Sequence, residues 1–122
     1  MQKKLSQLYF FVDEYNYSNL IKLKKNIHII YRDYKKNINI STLISLKNFC
    51  KKKNIKLFLS NNIKLALKYR INGVYIPAFN KQINYVKFNI PLKFEIIGSA
   101  HNEKEIVIKR KQGCRLIFLS PI

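Results

Sequence analysis

The sequence predicts an α/β protein, a parallel sheet built from a repeated βα unit. Three observations carry that reading. Short apolar runs rich in β-branched and aromatic residues recur along the chain, at Leu8 to Val12, Ile27 to Tyr31, Ile55 to Leu59, Val74 to Ile76, Phe94 to Ile97 and Leu116 to Leu119. Segments with helical spacing lie between most of them, at about 20 to 25 residues per repeat. The last unit, FEIIGSAHNEKEIVIKRKQGCRLIFLSP, shows the whole sequence of strand, loop, helix, turn and strand. Such a βαβ unit requires parallel strands with helices covering them.

LYFFV, the run Leu8 to Val12, reads as a buried strand. Tyr15 to Lys25 follows as a short helix with Leu20, Ile21 and Leu23 apolar. IHIIY, Ile27 to Tyr31, is the second strand, and Ser41 caps a helix from Thr42 to about Lys53. The apolar positions of that helix, Leu43, Leu46, Phe49 and Cys50, recur at helical spacing. Ile55 to Leu59 is the third strand and ends at Ser60-Asn61-Asn62, with a helix from Ile63 to Arg70 behind it. Asn72-Gly73 turns the chain into the fourth strand, Val74 to Ile76, ending at Pro77. Phe79 to Phe88 reads as a short helix or a loop.

In the last unit, Gly98 to His101 is a loop at the C-terminal end of the strand Phe94 to Ile97. Asn102 caps the next helix, and Glu105 three residues later closes a capping box. Ile106, Val107 and Ile108 supply that helix with an apolar side, and Gly113 suits a left-handed C-cap. In parallel α/β folds the chemistry sits at the C-terminal ends of strands. Ser99, His101 and Ser120 occupy that edge here.

Lys and Arg number 24 against 6 Asp and Glu, a formal charge of +18 over 122 residues. Such a charge suggests a polyanion as partner. The basic residues are spread along the whole chain, however, and Ile, Lys, Asn, Tyr and Phe are all residues of A/T-rich codons. No recognised nucleic-acid motif accompanies the charge, and the aromatics fall mostly on strands expected to be buried. Nucleic acid therefore ranks last among the partners. Cys50 and Cys114 lack metal-site spacing and read as free buried thiols. His28 lies inside an apolar run and reads as a packed histidine. No stretch approaches the roughly 20 apolar residues of a membrane helix, so a cytoplasmic protein without a membrane partner is expected.

Three segments resemble the thiamine-phosphate synthase family, in its order and spacing. LFLSNNIKLALKYRINGVYI is similar to a strand ending in Asn-Asp, a short helix and an Ala-Asp-Gly-Val-His-Leu turn and strand. IIGSAHNEKE resembles the family's Ile-Gly-x-Ser-x-His loop, and GCRLIFLSPI its Gly-Ala-Asp-Tyr-Ile-x-x-Gly-Pro-Ile strand. IIYRDYKK matches its Gln-x-Arg-x-Lys strand end less closely. The resemblance runs from Leu8 to Ile122. It implies a TIM-barrel-like fold, of which about six βα units are present. An eight-stranded barrel takes about 200 residues or more, so a single synthase-like domain over 1–122 is expected to be incomplete at its C-terminus, or completed by association, as in a homo-oligomer.

The implied activity joins hydroxymethylpyrimidine diphosphate to thiazole phosphate with release of pyrophosphate, in thiamine biosynthesis. A related branch tautomerises a thiazole instead. Phosphorylated small molecules are the implied substrates and Mg2+ the implied cofactor. By position, Arg32 matches the arginine that grips the pyrimidine diphosphate and Ser99 the serine that touches pyrophosphate. Lys35 and Lys36 fall beside the family lysine. Ser60, Asn61 and Ser120 fall on the substrate edge. Asn61 and Asn80 fall where the family has magnesium-binding Asp. The departures are specific. Ile30 stands for Gln, Tyr34 for Lys, Tyr75 for His, Pro77-Ala78 for Gly-Gln, and both metal carboxylates are amides. They favour, as the alternative to the synthase, a non-synthase relative that is tautomerase-like or binds a phosphorylated ligand without metal.

Overall fold

A computed structural model describes residues 8–24, 26–33, 37–83 and 89–119. It contains β1 (Leu8–Val12), α1 (Tyr17–Leu20), β2 (Ile27–Tyr31), α2 (Ile40–Lys53), β3 (Leu57–Ser60), α3 (Ile63–Lys68), β4 (Gly73–Ile76), β5 (Glu95–Ala100), α4 (Glu103–Lys111) and β6 (Leu116–Leu119). The strand order is the chain order, β1 to β6. The pairs β1–β2, β3–β4, β4–β5 and β5–β6 are parallel. The chain forms two compact units, Met1–Leu57 and Phe58–Ile122.

In the first unit β1 pairs with β2 in a register that sets Phe10 against Ile29 and Val12 against Tyr31. Ile29, Ile30 and Tyr31 are fully buried. The expectation for β1 is corrected: Leu8 is 60% exposed, Phe10 46% and Phe11 37%. Among the described residues, β1 is paired as a strand with β2 alone. The first helix is a single turn, shorter than expected, because Asn16 caps it by accepting the Asn19 amide and the chain leaves the helix after Leu20. The cap of α2 is Asn39, not Ser41: its side chain accepts the Thr42 amide at 3.1 Å. Leu43, Leu46, Phe49 and Cys50 are the buried face of α2, at the expected positions. Burial pushes the Cys50 thiol up to about 12. His28 is buried, and its Nδ1 accepts the Lys56 amide at 2.9 Å.

In the second unit β3 starts two residues later than expected and takes in Ser60. Asn62 caps α3 by accepting the Leu65 amide. Ile63, Val74, Ile76 and Ile96 form a buried cluster, joined by Leu67, Ile90, Phe94 and Cys114. Val74 and Ile76 therefore face the α3 side, and Tyr75 faces the other way, by the alternation of a strand. Asn102 caps α4 as expected. Glu105, however, reaches back to the His101 amide rather than to that of Asn102. Gly113, at φ +95°, takes the left-handed position that ends the helix.

Two further expectations are corrected. The strand before α4 does not stop at Ile97: β5 runs through Ala100, so Ser99 lies within a strand and not a loop. The buried residues of α4 are also not the apolar triplet. Val107 is 49% exposed, whereas Lys109 and Gln112 are buried. Helices follow β1, β2, β3 and β5. Between β4 and β5 the described residues hold turns and loop but no helix, and the remainder of Phe79 to Phe88 lies outside them.

Candidate functional site

Parallel pairing gives the second unit a common C-terminal edge, and the chain places polar residues there. Ser60 ends β3 and stands in register with Tyr75 on β4. Tyr75 pairs with Ile97, and Ser99 with Phe118. Paired residues of parallel strands share a face, so Ser60, Tyr75, Ser99 and Phe118 lie on one face. The Tyr75 and Ser99 hydroxyls are hydrogen-bonded at 2.5 Å, and both residues are buried. The Phe118 ring lies 6.4 Å from that of Tyr75. Ser99 thus offers an oxygen already engaged by a phenol, and a ligand reaching it must share or exchange that bond.

Beyond the strand ends, Asn61 takes a left-handed conformation (φ +61°), tolerable for Asn, and its amide N–H bonds to the Tyr75 carbonyl at 2.7 Å. That turn aims its side chain at Asn80, whose Nδ2 donates to Asn61 Oδ1 at 2.6 Å. The two positions that the resemblance marks for metal are therefore in contact. Asn80 is held from a second side. Lys109 Nζ donates to its backbone carbonyl at 2.9 Å, and Gln112 Nε2 donates to that carbonyl and to Gln82's, each at 2.8 Å. These bonds are why a lysine and a glutamine face inward on α4: the carbonyls of the β4–β5 connection need donors. The lysine stem lies close against β5, where a Cβ on Gly98 would stand 2.9 Å from Lys109 Cδ.

Magnesium prefers carboxylate oxygens and ordered water. Here the Asn61 oxygen accepts an amide, and an ammonium sits on the Asn80 carbonyl. This donor set does not fit the ion. Among the described residues no group of three His, Cys, Asp or Glu is placed to hold a metal.

His101 is exposed, and its ring Nδ1 lies 3.1 Å from Glu105 Oε1. Accepting the His101 backbone N–H is the main reason the Glu105 carboxyl is held below its usual range. Burial pushes the Cys114 thiol up to about 11, the Lys109 charge acting in the opposite direction.

Arg32 belongs to the first unit. It follows β2, its backbone N–H bonds to the Val12 carbonyl at 2.8 Å, and its guanidinium lies over the Phe11 ring, 4.1 Å from the centroid. Ser120, Lys35 and Lys36 lie outside the described residues. Lys109 and Gln112 were not anticipated from the sequence. The available signal was their spacing with Glu105, i, i+4 and i+7, which makes one helix stripe.

Burial holds Lys109 below the ordinary lysine value of 10.5. The unfolded chain therefore keeps this proton to higher pH than the folded chain, and between the two values the unfolded state binds more protons. Stability should rise with pH across that window. Lys109→Met removes this titration, and with it the cation that opposes the upward push on Cys114. The expected result is that the stability difference between wild type and variant moves in the wild type's favour as pH rises toward 10.5. Urea midpoints at about pH 7 and about pH 10 check it, and an unchanged difference refutes it.

By class this is a parallel α/β protein whose second unit gathers hydroxyl and amide side chains at the C-terminal ends of its strands. The sequence matches no protein-family model and no curated protein. No helix among the described residues is long and apolar enough to cross a membrane.

Proposed function

We propose that the chain is a thiamine-phosphate-synthase-like protein of the non-synthase kind, binding a phosphorylated small molecule without magnesium. The observation that carries this reading is the 2.6 Å bond from Asn80 Nδ2 to Asn61 Oδ1, with Lys109 on the Asn80 carbonyl. It joins the two positions where the synthases hold metal by a neutral pair and sets a lysine cation beside them. Parallel strands with Ser60, Asn61 and Ser99 near their C-terminal ends support the same reading, since anionic ligands of such folds bind there. Backbone donors, hydroxyls and lysines neutralise phosphate without a metal.

The test is calorimetric titration with inorganic pyrophosphate and with thiazole phosphate, in magnesium and in chelator. The expected result is binding of thiazole phosphate with the same affinity in both and of pyrophosphate in chelator, with no pyrophosphate released when hydroxymethylpyrimidine diphosphate is added. Magnesium-dependent pyrophosphate release would establish the synthase instead. Absence of binding to either phosphate would end the family reading.

A further inference from the structure

A second feature lies wholly within the first unit and has no part in the proposed phosphate site. A groove of about 740 Å³ is lined by Leu20 and Phe49 and by Lys22, Lys24, Lys52 and Lys53. Four of those residues are lysines, all exposed, and none is acidic. Lys52 and Lys53 close the last turn of α2, where cations offset a helix's carbonyl end. That explanation does not extend to Lys22 and Lys24, because α1 ends at Leu20. Two lysine pairs from separate segments thus line one groove, and its volume exceeds what one phosphate fills.

One of the lining residues is aromatic. Phe49, in its wall, meets the rings of Tyr15 and Tyr17 edge-on at 6.5 and 6.1 Å. Tyr17 is 55% exposed and Tyr15 37%. Lysines that track a backbone of phosphates, beside open rings on which bases stack, are the two elements of sequence-tolerant single-strand binding. An acidic peptide would use the lysines but gain little from the tyrosine faces. We infer that this groove binds single-stranded nucleic acid, through the phosphates at Lys22, Lys24, Lys52 and Lys53 and through base stacking on Tyr17.

Fluorescence anisotropy of a labelled oligothymidylate of about 12 nucleotides tests it, a length within the site size of small single-strand binders. The wild type is compared with K22Q/K24Q/K52Q/K53Q and with K64Q/K93Q/K104Q/K111Q, an equal charge change at exposed lysines of the other unit. Thermal unfolding establishes that each variant folds. The groove variant should lose at least about tenfold in affinity at about 50 mM salt, and its salt slope should fall by about 2 to 3, at roughly 0.7 per phosphate contact. The control should change by less than about threefold. Tyr17→Leu, which keeps an apolar side chain against Phe49, should lose about fivefold or more. Equal losses in the groove and control variants would overturn the inference in favour of diffuse charge. An unbound wild type, or an oligonucleotide displaced more readily by polyglutamate than by unlabelled oligonucleotide, would overturn it as well.

Discussion

Gly73→Ala is expected to lose about 4 kcal/mol or more of stability, enough to unfold a domain of ordinary stability. Gly73 opens β4, buried between Phe58 on β3 and Glu95 on β5. A Cβ there would overlap the Glu95 carbonyl oxygen and stand 2.7 and 2.8 Å from two ring carbons of Phe58. A ring can rotate, but a carbonyl within a strand ladder moves only with its strand. Relief would require β4 and β5 to separate where their pairing begins. Ordinary overpacking costs roughly 1–3 kcal/mol because side chains yield; here the obstacle is backbone. Gly113→Ala is the comparator. Its Cβ would stand 3.4 Å from Ile96 Cδ1, an ordinary contact, so its cost is conformational, at about 1 kcal/mol for a left-handed position. Denaturant midpoints of the two variants measure the difference. Comparable small losses would show that β4 and β5 part easily.

The second large effect is expected from Asn61→Asp combined with Asn80→Asp. The native pair is one donor and one acceptor at 2.6 Å. Two carboxylates in those places repel, by roughly 1–4 kcal/mol at about 4 Å between water-like and surface-like screening. One of them should titrate above the ordinary carboxylate range, as coupled acids do. The sign follows: a raised folded value makes the penalty full above it and removes it as pH falls through it. The variant should therefore be less stable than wild type at neutral pH and recover toward acid. It should also recover with magnesium, since a bound ion stabilises by about 2.7 kcal/mol at a hundredfold excess over its Kd. The wild type should show no magnesium response in its melting temperature. A wild type that does respond would refute the metal-free reading. A variant that never responds would mean that the two positions do not form a metal site even with carboxylates.

Much of the fold was legible, and in specific places. LYFFV, IHIIY and LIFL mark β1, β2 and β6 to the residue, because an unbroken apolar run bounded by polar residues leaves little choice. Asn102 and Gly113 mark the ends of α4, because a cap answers to the backbone groups beside it. Asn61 and Asn80 were named through the resemblance, and they do meet. Ser99 was named too, but its bond to Tyr75 was not foreseen, since a cross-strand diagonal depends on a register no local pattern states.

Local sequence, then, determined the parallel α/β class, the extents of β1, β2 and β6 and both ends of α4, since propensity and capping act within a few residues. Tertiary structure decided which surfaces are inside. It left Leu8, Phe10 and Phe11 of the apolar β1 exposed. It carried β5 on through Gly98-Ser99-Ala100, because β4 and β6 supply partners there that no propensity requires. It turned Lys109 and Gln112 inward, because the carbonyls of Asn80 and Gln82 had to be met by donors, and a lysine's long stem can lie in a core while its charge reaches a carbonyl.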